Sequence, residues 1–126
     1  MVFVLRLVLI CHSIAAFAQS VFAGQFLSGL DGPVRIHELT GWIDLAISAL
    51  QIVAVSALMR SGKTSLWLLF GSVFLFLGEG LQIGSGYARF LTVHVPLGVI
   101  IVAAVSWQTI SVFLKPAPAH VSRNEI

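Results

Sequence analysis

Residues 37–51 read HELTGWIDLAISALQ, and residues 94–108 read HVPLGVIIVAAVSWQ. Set against each other at an offset of 57 residues (94 − 37), they share His37 with His94, Gly41 with Gly98, Ile43 with Ile100, Ala46 with Ala103 and Gln51 with Gln108. The match continues upstream, where Gln25, Ser28 and Gly29 recur as Gln82, Ser85 and Gly86. A lipid-facing helix has little reason to repeat histidine, glycine and glutamine. The coincidence therefore predicts a duplicated architecture with a use for both imidazoles.

Around these stretches the chain is oily. Hydrophobic residues make up 58% of its 126 positions and charged ones 10%, with a mean hydropathy of +1.01. That composition excludes a soluble domain with a polar shell and predicts a membrane protein. A bilayer is crossed by roughly 20 apolar residues, and four such spans fit: about Val2 to Leu30, Pro33 to Met59, Ser65 to Gly86 and Ala88 to Leu114. The expected fold class is all-α, a membrane-embedded four-helix bundle built from two parallel repeats of a helical hairpin. Residues 1–114 form this domain, with halves at about 1–60 and 61–114, and residues 115–126 form a cytoplasmic tail. A net charge of +2 gives no case for nucleic acid. The single cysteine, Cys11, has no partner for an internal disulfide and is expected as a packed thiol.

Ala16-Phe17-Ala18, after an apolar run with Arg6 near its start, has the form of a signal-peptide cleavage site. Hydrophobicity continues past it to Leu30, and the repeat needs Gln25, Ser28 and Gly29 to end a helix, so the segment is read as a true span. Arg6, Arg60, Lys63, Lys115 and Arg123 fall on one side of a four-span arrangement, against Arg35 and Arg89 on the other. This bias predicts both termini in the cytoplasm. The halves are then parallel repeats, with His37 and His94 at equal depth. Asp31 or Gly32 can cap the second helix, with Pro33 at its first position. Each histidine then lies about 6 Å below the outer helix end.

Neutral imidazole is both a common metal ligand and a hydrogen-bonding group, and in hydrocarbon it needs partners. Each histidine has a glycine at i+4, on the same helix face. His37 and Gly41, like His94 and Gly98, thus offer an imidazole beside a patch without a side chain. Placed diagonally across a bundle, helices 2 and 4 would aim both rings at one point. Haem b with bis-histidine ligation meets those demands: opposed axial nitrogens, clearance for a planar ring, and apolar walls. Phe17, Phe22, Phe74, Phe76 and Trp42 are candidates for the walls. Without a cofactor, the histidines would hydrogen-bond to a neighbouring helix or water, and the glycines would serve close helix packing.

His37-Glu-Leu-Thr-Gly41 and His94-Val-Pro-Leu-Gly98, set in four spans, resemble the di-histidine cytochrome b type of membrane protein. The chain is also similar to small uncharacterised bacterial four-span proteins with one histidine after each outer loop. The resemblance covers most of residues 1–114 and implies b-type haem between histidines on facing helices of a bacterial cytoplasmic membrane. Cytochromes of this type often hold a second haem near the opposite face. Here Gln51 and Gln108 occupy that level, and glutamine is not a usual haem ligand, so one haem is expected.

Arg35 and Arg89 lie just outside the histidines and can either pair with haem propionates or anchor the helices at the interface. Along helix 2, His37, Gly41, Asp44, Ser48 and Gln51 share one face, which must point into the bundle. Asp44, about 17 Å from the outer end of helix 2, is level with His12, about 15 Å from the inner end of helix 1. Such a pair can share a proton. Glu79 has no polar counterpart in the first half, since the offset equates it with Phe22. It can bond a ligand histidine, face water or a quinone head group, or sit protonated against Gln25 or a backbone carbonyl. Gln82 stands one turn outward from it.

Arg60-Ser-Gly-Lys-Thr64 lacks the first glycine of a phosphate-binding loop and is read as a connector. No nucleophile elbow accompanies the serines and histidines. The tail, with Pro116, Pro118 and His120, carries no assigned site. The functional expectation is a membrane electron-transfer component or oxidoreductase with one haem b on His37 and His94, exchanging electrons with a quinone or a partner protein. The alternatives are a small proton- or metal-cation-coupled transporter using Glu79, Asp44 and the histidines, and a non-catalytic accessory subunit of a membrane complex.

Overall fold

The computed structural model describes residues 2–114, and the expected tail lies outside them. The chain forms four helices, α1 (Val2–Leu27), α2 (Gly32–Arg60), α3 (Leu66–Tyr87) and α4 (Leu91–Leu114). Each is long and apolar enough to cross a bilayer. The protein is an all-α, four-helix integral membrane protein, and the helix limits fall within a few residues of the sequence expectation.

The connectors are short because α1, α2 and α3 end in the same way. The residue after the last turn adopts a left-handed conformation, and two reversed hydrogen bonds close the helix end. Gly29 (φ 90°) does this for α1, with Leu30 N–H donating to Gln25 C=O, and Gly62 (φ 68°) for α2, with Lys63 N–H donating to Leu58 C=O. At the end of α3 the left-handed residue is Arg89 (φ 55°), and Phe90 N–H donates to Ser85 C=O. The two hairpins therefore turn out of step: Gly29 makes its turn, whereas Gly86 is still helical. Pro33 lies in the first turn of α2 as expected, but Asp31 makes no side-chain capping bond.

The helices pack as a ring in which α1 and α3 each touch α2 and α4. The pairs α1/α3 and α2/α4 are thus the diagonals, as the sequence predicts for helices 2 and 4. Distances along the ring run from a terminal end, where the chain starts, to a distal end carrying the α1–α2 and α3–α4 connectors. At the terminal end Leu5, Leu9, Val55, Leu58 and Leu68 form a small apolar core. Further along, Ala16, Leu75, Ile101 and Val105 form a second. Each is modest because the outer surface is apolar too: Phe3, Trp67 and Leu114 are at least 75% exposed and face lipid. Cys11 is likewise exposed, contrary to the expected packed thiol. Helix α1 has apolar residues on every face and only scattered polar ones, so its sequence marks poorly which face meets lipid.

Candidate functional site

The interior of the bundle is polar where a soluble protein would be oily. His12, Asp44, Ser48, Gln51, Ser72, Glu79, Ser85 and Gln108 are all buried. On α2 the expected face is realised, with Asp44, Ser48 and Gln51 buried and His37 and Gly41 half-buried. Two groups of residues stand out, one at the middle of the bundle and one at its distal end.

The middle group centres on Gln51, which reaches all three other helices. Ser72 donates its hydroxyl to Leu68 C=O (2.8 Å), so its oxygen accepts from the Gln51 amide nitrogen (2.8 Å). That nitrogen also donates to Gln108 Oε1 (2.7 Å). The amide is thereby oriented, with Oε1 facing His12 Nδ1 at 2.7 Å. Nδ1 must carry the proton there. His12 Nε2 is left to meet Glu79 Oε1 at 2.6 Å and Asp44 Oδ1 at 3.8 Å. His12 and Asp44 are level, as their helix positions predict. Glu79 bonds His12 rather than His37, His94 or Gln25.

The distal group surrounds a cavity of about 580 Å³ that all four helices line. His37 and His94 meet in it from the diagonal helices, with ring centroids 6.0 Å apart and planes at 75°. Each ring is half-buried. His94 Nδ1 donates to Gln82 C=O (2.8 Å), which leaves Nε2 with its lone pair. His37 Nδ1 is buried without a hydrogen-bond partner. Gly86 is required by this packing, since a Cβ there would lie 2.9 Å from His94 Cε1. Gly98 is covered by the Gln82 amide, 2.9 Å from where its Cβ would be, while Gly41 meets only ordinary contacts at 3.8 Å and beyond. The bare patch expected beside each imidazole is therefore open at Gly41 and crossed by Gln82 at Gly98. Asp44 and Glu79 also line the cavity and join the two groups.

Other expected site residues lie elsewhere. Arg35, Arg89 and Gln25 are exposed and outside the cavity lining. Of the aromatic walls only Trp42 lines the cavity, and Phe26 and Tyr87 take the other places. Spacing alone does not mark Gly86 as the seat of His94. Nor does it mark the rim, where Tyr87 donates its hydroxyl to Glu38 and accepts from Trp42 Nε1 at 3.3 Å. Tyr87 is the chain's single tyrosine and ends α3 one residue after a repeated glycine, a signal that was available. No family model, curated protein or solved structure matches the chain.

Proposed function

We propose that the protein binds one haem b between His37 and His94 and passes single electrons within the membrane. The observation that carries this reading is the 6.0 Å separation of the two imidazoles, with their planes at 75°. A metal–imidazole bond is about 2 Å long and a ring centre lies ~1 Å behind its nitrogen, so two imidazoles opposed on one ion stand ~6 Å apart. The same separation also suits an edge-to-face ring pair. The surroundings favour the ligand reading. A backbone carbonyl fixes the His94 tautomer, the usual arrangement behind a ligating histidine. The cavity volume falls within the range of small-molecule sites, about 300–1,000 Å³. Gly41 gives clearance beside His37.

Haem b bound there would supply one-electron chemistry. His37 and His94 would both hold the iron, and two histidine ligands would favour electron transfer over oxygen binding. Ile83, Leu91, Val95, Val99 and Val102 give the cavity apolar walls that exclude water. The Trp42–Tyr87–Glu38 group at the rim offers an aromatic and polar edge to a quinone head group or a partner protein. The test is the visible spectrum of the full chain purified from cells supplied with haem. A Soret band is expected in the wild type. His37→Ala and His94→Ala should each abolish it while keeping wild-type helical circular dichroism. A wild-type chain with no Soret band refutes the proposal.

A further inference from the structure

We propose that His12, Asp44 and Glu79 form a second site, at mid-bundle, that binds one divalent first-row transition-metal ion. Their candidate ligand atoms lie within 4.8 Å of one another, and all three residues are buried. They come from three helices, α1, α2 and α3, so the fold assembles the site rather than a local sequence motif. Two oxygens lack a hydrogen bond: Asp44 Oδ1 and Glu79 Oε2 are buried, on residues only 4% exposed, and the nearest basic atom to Asp44 Oδ1 is His12 Nε2 at 3.8 Å. Native interiors rarely leave such acceptors unsatisfied without a use for them.

Charge points to a cation. Both carboxylates ionised beside a neutral imidazole would place two negative charges in an apolar bundle, which a membrane interior does not tolerate unpaired. Among the described residues no Lys or Arg pairs with either carboxylate. Two protons would balance the site, and so would one divalent ion. The ligand set decides the class: one imidazole with two carboxylates, and no thiolate, suits ions such as Zn²⁺, Mn²⁺ or Fe²⁺. His12 is already prepared as a ligand. The chain from Ser72 through Gln51 fixes its proton on Nδ1 and turns Nε2 toward the carboxylates, as an outer hydrogen bond does for ligating histidines. Asp44 and Glu79 border the distal cavity, which provides a route for the ion and room for a water ligand. Binding is an exchange in which the ion enters, two protons leave, and the charge of the site stays zero.

The test separates this site from the distal cavity by using the full chain with His37→Ala and His94→Ala, which is free of haem absorption and leaves the cavity open to the ion. After chelator treatment in detergent, this protein is titrated with Co²⁺ by visible absorption and with Zn²⁺ by calorimetry in two buffers of different ionisation enthalpy. One ion per chain is expected, with close to two protons released. Asp44→Asn and Glu79→Gln should each weaken binding at least tenfold, and Gln51→Leu, which frees the imidazole from its acceptor, by about 10–100-fold. No Co²⁺ binding at millimolar concentration overturns the proposal. So does binding that both Asp44→Asn and Glu79→Gln leave unchanged, or binding without proton release.

Discussion

Replacing Gln51 with leucine should cost the bundle more than any other single change among its buried polar residues. Leucine is close in volume and better suited to an oily interior, so a hydrophobic account predicts little loss. The structure predicts otherwise. Gln51 bonds His12 on α1, Ser72 on α3 and Gln108 on α4. Interhelical side-chain bonds in membranes average about 0.6 kcal/mol, so three contribute ~2 kcal/mol. The change also strands the His12 Nδ1–H on a residue with no exposure, at a further cost of ~1–3 kcal/mol. The expected loss is therefore ~3–5 kcal/mol, the sum of the two. Gln108→Leu removes one of the three bonds and strands one of the two Gln51 amide hydrogens, so ~2–4 kcal/mol is expected, less than for Gln51→Leu because the bonds to His12 and Ser72 are kept. Unfolding in mixed micelles of rising dodecyl sulfate fraction, followed by tryptophan fluorescence, measures both. A Gln51→Leu protein within ~0.5 kcal/mol of wild type, the ordinary scatter of neutral substitutions, would refute the argument. So would a loss no larger than that of Gln108→Leu.

Two further outcomes use the same assay. Gly86→Ala should be less stable than Gly84→Ala: the first places a Cβ 2.9 Å from His94 and must push the ring back by about 0.5 Å to reach ordinary contact at 3.4 Å, whereas the second meets nothing within 4 Å. Gly84→Ala should gain up to about 1 kcal/mol of helix propensity, and equal gains in both would show that His94 is not seated against Gly86. Arg89→Gly should stabilise by about 1 kcal/mol, because Arg89 holds a left-handed conformation that glycine adopts without penalty. An unchanged midpoint would count against that strain.

Length and hydropathy made the four spans legible, and the polar face of α2 was legible from spacing alone. His37, Asp44, Ser48 and Gln51 turn inward because a lipid-facing alternative would leave their polar side chains in hydrocarbon, and Gly41 lies on the same face. The meeting of His12 with Asp44 followed from equal helix depth. What one helix could not disclose was rotation. Helix α1 is largely apolar around its axis, so the exposure of Cys11 was not written in a periodicity, whereas the inward reach of Gln108 follows from its place on the face of His94 and Gly98. Glu79 was visible as an asymmetry between the halves, but its partner depended on which of three histidines the packing brought within reach. The small offset between the hairpin turns was hidden as well. A left-handed arginine leaves no mark that a sequence reader would choose over the neighbouring glycine.

Bilayer helices that touch mainly through smooth aliphatic surfaces have little to stop one from sliding along another. Gln51 works here as a pin through a stack: a shift of one helical turn, about 5.4 Å, of any neighbour would pull that neighbour off the amide. The imidazole of His37 rides on the same rod, fourteen residues (51 − 37) or about 21 Å further along. Its height opposite His94 is thus set from a distance, and loosening the pin should show itself first as lost alignment at the far mouth.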